Sequence, residues 1–152
     1  MEASRDRSSD SALVVYGLIN FDSFDRIRSK AELIHAQDPS QFPSLQATAE
    51  FFGSLKPENR KGMAEMALIF NSLLKARVEK LSRDLNSDRL GLWYSEALAE
   101  MEFSGPDDLS KEDAWHPSLK GKEKISAALW RGAEPALEFL GVSTRGQIKE
   151  LK

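Results

Sequence analysis

Residues 57–83 carry the longest run of helical periodicity in this 152-residue chain, and that run constrains the fold more than any other feature. Apolar side chains recur there at spacings of three and four, which is typical of an amphipathic helix. Pro57 suits the first turn of this helix, where its missing N–H has no intrahelical partner to lose. We expect one apolar face to lie against the core, comprising Met63, Met66, Phe70, Leu73, Leu74, Val78 and Leu81.

The same periodicity continues along most of the chain, and alternating strand patterns are nearly absent. Residues 12–19 are the one ambiguous stretch, because their β-branched side chains suit a strand as well as a helix. No second strand is visible to pair with them, which favours a helix. A further helix is expected near residues 87–103, and Pro135 is expected to begin a helix, since proline inside one removes a backbone hydrogen bond. The prediction is an all-α fold of about six to eight helices, orthogonal or bundle-like.

The length of the chain fits one domain. Residues 1–10 are polar and mixed in charge, so we expect a flexible N-terminal tail. Residues 11–152 are expected to form a single compact helical domain, with residues 110–152 as a candidate C-terminal helical subdomain. The apolar run over residues 12–21 is far shorter than the roughly 20 residues that cross a bilayer, and no signal-peptide cleavage pattern follows it. A cytoplasmic protein with no membrane partner is therefore predicted.

Residue counts exclude several kinds of chemistry. The chain has no cysteine and two histidines, His35 and His116. Disulfides, thiolate nucleophiles and zinc fingers are thus excluded, and a multi-histidine metal site has too few ligands. Neither a phosphate-binding glycine loop nor a nucleophile-elbow motif is present. We expect no enzyme activity, no cofactor and no metal; a metal-dependent hydrolase around Asp113 and His116 is the enzymatic alternative.

Charge is segregated along the chain although the net charge is only −3. Residues 56–83 carry 7 basic and 3 acidic side chains, whereas residues 84–113 carry 2 and 9. One interpretation is that these two segments neutralise each other across a helix pair. The functional interpretation is a surface that steers a charged partner.

These features predict a non-enzymatic protein-binding module that acts as a regulator, inhibitor or adaptor of a protein partner. Two tryptophans strengthen this prediction because they flank loop segments, and tryptophan is enriched at binding hot spots. The candidate contact residues come from the basic helix, the acidic segment and these tryptophans: Lys75, Arg77, Lys80, Arg83, Glu96, Glu100, Trp115 and Trp130.

Residues 134–151 support an alternative function. A short helix, the sequence Leu-Gly-Val-Ser at residues 140–143 and a further helix resemble the turn of helix-turn-helix DNA-binding domains. The pattern is broken at Gln147, where an apolar residue is expected, and at Gly146, inside the recognition helix. The resemblance implies a DNA-binding transcriptional regulator, although the acidic balance of the whole chain argues against general nucleic-acid binding. Its DNA contacts would be Ser143, Thr144, Arg145, Gln147 and Lys149.

Overall fold

The computed structural model describes residues 9–142 and contains both helices and strands. In chain order the elements are β1 (Ser11–Tyr16), α1 (Phe21–Gln37), α2 (Leu45–Phe51), α3 (Pro57–Leu85), β2 (Leu90–Ser95) and α4 (Leu119–Phe139). Short 3-10 turns lie at Gly53–Leu55 and Pro106–Asp108. The prediction of an all-α fold with six to eight helices is wrong, because the described residues form four helices and a two-stranded parallel sheet.

The two strands occupy segments that were predicted as helices. β1 and β2 run parallel, with Ser11 opposite Leu90 and Tyr16 opposite Ser95. The partner of β1 thus lies beyond three helices in the sequence, which is why no local pattern revealed it. Pairing outweighs local preference because each strand gains a ladder of backbone hydrogen bonds and neighbours for its side chains.

Helices cover both faces of the sheet, as is usual for parallel strands. Trp93 of β2 places its ring centroid 5.4 Å from that of Phe139 on α4. The next side chain, Tyr94, points to the opposite face, since strand side chains alternate, and α3 packs against β2 there. Asn71 of α3 also accepts a hydrogen bond from the N–H of Leu18 (2.7 Å) and donates one to its carbonyl (3.1 Å). These contacts turn one side of α3 toward the sheet.

The apolar core lies between α1, the α2 region and the loop that follows β2. α1 contributes Phe24, Ile27 and Ala31, which share one face of the helix. The remaining members come from the segments packed around that face: Phe42, Leu45, Leu55, Ala97, Met101, Phe103, Leu109, Ala114 and Ala128.

A buried guanidinium group connects α1 to the first residue of α2 and to the loop that follows β2. Arg28 is fully buried. It donates hydrogen bonds to the carbonyl oxygens of Leu45 (3.0 Å), Asp113 (2.8 Å) and Ala114 (3.1 Å). Burial lowers the pKa of Arg28, and the nearby carboxylate of Glu32 opposes that shift. The loop after β2 is thereby held against α1 by a side chain rather than by a strand.

A second buried arginine ties the start of α3 to α1. Arg60 donates to both carboxylate oxygens of Glu32 (2.6 and 3.0 Å), to Asp25, and to the carbonyl of Leu55 (2.7 Å). Burial alone would lower the pKa of Arg60, but the hydrogen bonds to Glu32 and Asp25 raise it. The first turns of α3 are therefore fixed against α1.

The C-terminal region differs from expectation as well. Pro135 was expected to begin a helix. α4 instead runs continuously from Leu119 to Phe139, with Pro135 inside it. The helix forgoes one backbone hydrogen bond at the proline, and the buried side chain of Ala136 and the ring of Phe139 pack just beyond that position. Tertiary packing thus extends α4 past the residue that was expected to interrupt it.

Replacing Arg28 with Met should lower the free energy of unfolding by about 3–5 kcal/mol, because three buried carbonyls lose their donor and Glu32 loses a neighbouring cation. The matched control is Arg26→Met on the same helix. Arg26 makes only exposed ion pairs, 3.9 Å from Asp22 and 3.8 Å from Glu102, so its loss should cost at most about 1 kcal/mol. Urea unfolding of both variants measures the difference. Similar losses in the two variants would contradict the anchoring role of Arg28.

The contact between α4 and the sheet can be tested with two helical glycines. A Cβ at Gly132 would lie 2.2 Å from the Ser95 hydroxyl and 2.5 Å from the Tyr16 ring, whereas a Cβ at Gly62 has no neighbour within 4 Å. Gly62→Ala should stabilise the protein by up to about 1 kcal/mol through helix propensity. Gly132→Ala should destabilise it, because α4 must move away from the sheet. Thermal unfolding shifts of opposite sign are expected; equal shifts would refute this close packing.

Candidate protein-binding surface

An apolar face of α3 is exposed to solvent. The side chains of Met66, Ile69 and Leu73 are 71%, 62% and 67% exposed, and Phe70 beside them is half-exposed. These residues lie at positions i, i+3, i+4 and i+7, so they share one side of the helix. Soluble proteins seldom leave a contiguous apolar patch in water unless it contacts another molecule. This face is therefore the candidate functional surface.

The exposed residues belong to a longer regular pattern that we call the α3 stripe. All six members are exposed, and they alternate in spacings of four and three: Gly62, Met66, Ile69, Leu73, Ala76 and Lys80. Such a 3.5-residue repeat is the pattern by which one helix packs along another. The stripe places large apolar residues at its centre, small residues on either side and a cation at one end.

The side of α3 opposite the stripe faces the protein. Its buried residues are Arg60, Ala67 and Val78. The predicted inward face was therefore only partly right. Val78 is buried, and Met63, Leu74 and Leu81 are partly buried. The other three predicted core residues are exposed: Met66, Phe70 and Leu73. The error arises because residues 66–74 are apolar around more than half of the helix. That breadth is the signal that the sequence carries two apolar faces.

Charged residues are distributed unevenly along the stripe. Glu58 and Glu65 lie near its N-terminal end together with Lys61, and Arg77, Lys80 and Arg83 lie near its C-terminal end together with Asp84. All seven are exposed, and the C-terminal end carries the net positive charge. Three of the four predicted basic residues thus lie at one end of the apolar patch, and Lys75 does not.

The predicted acidic and basic surfaces meet at one ion pair. Lys75 Nζ lies 3.0 Å from Glu96 Oε2, and this hydrogen bond raises the pKa of Lys75. Glu100 is also exposed but lies in the loop after β2 rather than on a helix. Lys75 and Glu96 therefore form an ion pair between α3 and the end of β2, as expected if the two segments neutralise each other. Both residues lie outside the stripe.

The two tryptophans named as contact candidates have different environments. Trp115 is half-buried, with its ring 5.2 Å from Phe24 in an edge-to-face arrangement and 6.0 Å from Phe52. Trp130 is 45% exposed on α4, where it lines a shallow apolar groove with Leu129 and Tyr16. Trp115 thus packs against the rings of Phe24 and Phe52. Trp130 forms part of a second exposed surface, on the side of the sheet away from α3.

The alternative metal site at Asp113 and His116 forms a closed turn. Asp113 accepts hydrogen bonds from the backbone N–H groups of Trp115 (2.9 Å) and His116 (3.2 Å), and its second oxygen lies 2.6 Å from His116 Nδ1. Burial would raise the pKa of Asp113, but these hydrogen bonds lower it. Within residues 9–142, no three His, Asp or Glu side chains converge as a metal site requires.

Sequence reasoning missed one buried carboxylate. Asp108 is fully buried. Its Oδ2 accepts hydrogen bonds from Lys124 (2.7 Å) and from the N–H groups of Ser104 (2.6 Å) and Gly105 (3.3 Å). Burial would raise its pKa, yet these donors lower the pKa of Asp108 to about 2. No short motif marks such a residue in the sequence, because its donors come from a turn and from a separate helix. Its role is to fasten the first turns of α4 to the preceding loop.

Comparison with known proteins adds no relative: no family model, curated protein or solved structure matches this chain. Across the described part of the chain, no helix is both long and apolar enough to span a bilayer.

The helix-turn-helix resemblance stays a prediction, because its candidate DNA contacts all lie outside the described residues. These candidates are Ser143, Thr144, Arg145, Gln147 and Lys149.

The contribution of the Asp108 carboxylate to the free energy of unfolding should depend on pH, and Asp108→Asn tests this. A depressed pKa stabilises the folded state above the unfolded-state pKa, and the effect is lost as pH falls toward about 2. The wild type should therefore exceed the variant by about 2 kcal/mol in free energy of unfolding at pH 7 and by less than about 1 kcal/mol at pH 2.5. Urea unfolding at both pH values measures this. A difference that does not depend on pH would contradict the assignment.

Proposed function

We propose that this chain is a non-enzymatic protein-binding module, and that it acts as a regulator, inhibitor or adaptor by docking a protein partner on the α3 stripe. The observation that carries the proposal is the solvent exposure of Met66, Ile69 and Leu73 along one face of a 29-residue helix. Burying a fully exposed aliphatic side chain of this size contributes about 1.5–3 kcal/mol, so the stripe offers a partner substantial binding energy.

The regular spacing of the stripe favours a helical partner. Apolar residues at i, i+3, i+4 and i+7 are the anchors by which amphipathic helices engage one another. Gly62 and Ala76 lie on either side of the large apolar residues and leave room there for larger side chains of the partner. A helix with a complementary apolar face would cover the stripe without any rearrangement of the core, because the opposite side of α3 already packs against the protein.

Charge supplies orientation in this proposal. The cations Arg77 and Arg83 at one end of the stripe favour an acidic segment in the partner, and Glu58 at the other end favours a basic one. Exposed charges of this kind govern association rate and register more than affinity. Binding should therefore weaken only moderately in high salt.

Leu73→Lys tests the function directly. Introducing a cation at the centre of the stripe should reduce capture of protein partners from host lysate by about tenfold or more. Capture is measured by quantitative mass spectrometry of proteins bound to the tagged chain after nuclease treatment. The melting temperature should hardly change, since Leu73 is exposed in the folded protein.

The matched control is Leu68→Lys. Leu68 is 69% exposed on the same helix, but at 100° per residue it lies well to the side of the stripe. It reproduces the change in charge and hydrophobicity without altering the proposed surface. Equal capture by the wild type and by Leu73→Lys would refute the proposal, and so would equal losses in the two variants.

A further inference from the structure

We propose that the partner on the α3 stripe is the same stripe of a second copy of this chain, packed antiparallel about a two-fold axis level with Asn71. The inference rests on the proposed function, because it takes the stripe to be a protein-binding surface and adds the identity of the protein. A two-fold interface of this type is isologous, so the stripe must be complementary to itself.

The sizes of the stripe residues are complementary in this arrangement. Ile69 lies opposite the partner's Leu73, Met66 opposite the partner's Ala76, and Gly62 opposite the partner's Lys80. Each large side chain outside the centre thus meets a small one, which lets the two helices approach to the 8–10 Å usual for packed helices. The aliphatic stem of Lys80 can lie over Gly62 while its ammonium group reaches water.

The flank of the stripe adds an aromatic contact. Phe70 is half-exposed and lies at the edge of the stripe. A two-fold axis level with Asn71 brings it to within about one helical turn of the partner's Phe70 on the same side of the interface. Edge-to-face packing of such rings is favourable beyond the area that they bury.

Charge also selects the antiparallel orientation. Glu58 of one copy lies within one residue of the level of Arg83 of the other and on the same side of the interface, which gives two equivalent ion pairs; Asp84 lies level with Glu58 but on the opposite side of the interface. A parallel pair would instead place Lys80 against the partner's Lys80, Arg83 beside the partner's Arg83, and Ala76 against the partner's Ala76. That arrangement combines like-charge repulsion with a gap in packing.

Sedimentation equilibrium over a range of concentrations tests the association. The wild-type chain and the Leu68→Lys variant should both behave as dimers. In the Leu73→Lys variant the dissociation constant of the dimer should rise by about tenfold or more. Circular dichroism of each variant checks that it is folded. A wild-type chain that stays monomeric up to millimolar concentration would overturn the inference, and so would a Leu73→Lys variant as dimeric as the wild type.

Cysteine cross-linking tests the orientation of the two helices. The chain has no native cysteine, so only the introduced cysteines can form disulfides. Tagged M66C chains are mixed with untagged A76C chains under mild oxidation. Antiparallel packing predicts a disulfide between the two kinds of chain. Cross-linking of M66C only to itself would indicate a parallel pair and overturn the arrangement, as would a lack of cross-linking in either form.

A charge exchange gives an independent test that leaves the apolar stripe intact. Glu58→Arg and Arg83→Glu should each weaken the dimer several-fold, because each creates like charges at both ends of the interface. The double variant should return to within about twofold of the wild type, since the pairs re-form with reversed polarity. Additive losses in the double variant would contradict the pairing of Glu58 with Arg83.

The outcomes separate this inference from the proposed function. A monomeric wild-type chain whose capture of another protein depends on Leu73 would overturn the second copy as partner and retain the stripe as a binding surface. A monomeric chain whose capture is insensitive to Leu73→Lys would overturn both.

Discussion

Arg28 and Arg60 share the carboxylate of Glu32, and the positions of α1 and α3 depend on this buried group of charges. A cation removed from water destabilises a protein unless its donors find partners. Arg28 finds them in the backbone at the start of α2 and in the loop that follows β2. Arg60 finds them on α1. The network thus places α1, the start of α3 and the loop after β2 in one arrangement, and the apolar core forms among them.

The position of α3 determines which of its faces is left in water. Arg60 fixes the first turns of α3 against α1, and Asn71, near the middle of α3, binds the backbone of Leu18 just after β1. Both residues lie on the side of the helix that carries Ala67 and Val78. Met66, Ile69 and Leu73 lie on the other side and cannot turn inward without breaking these contacts. The exposed stripe is therefore a consequence of the polar anchors rather than of a shortage of apolar residues.

The fold was predictable only where local pattern and tertiary packing agree. α3 begins at Pro57, as its sequence indicates, and extends to Leu85 with the expected periodicity. The parallel strands were not predictable, since β1 gains its partner only after three intervening helices. α4 continues through Pro135 because contacts on either side outweigh one lost hydrogen bond. Of the candidate site, Arg77, Lys80 and Arg83 were named from the sequence as contact residues and stay a prediction, whereas the exposed apolar centre was assigned to the core.

The amphipathic helix over residues 57–83 follows from the sequence alone, because spacing and propensity act within a few turns of the chain. The sequence also places the basic segment 56–83 next to the acidic segment 84–113. Which apolar side of the helix is buried depends on the tertiary structure. That choice depends on Arg60, Asn71 and the paired strands, whose partners lie far away in the sequence, and periodicity alone contains no information about such contacts.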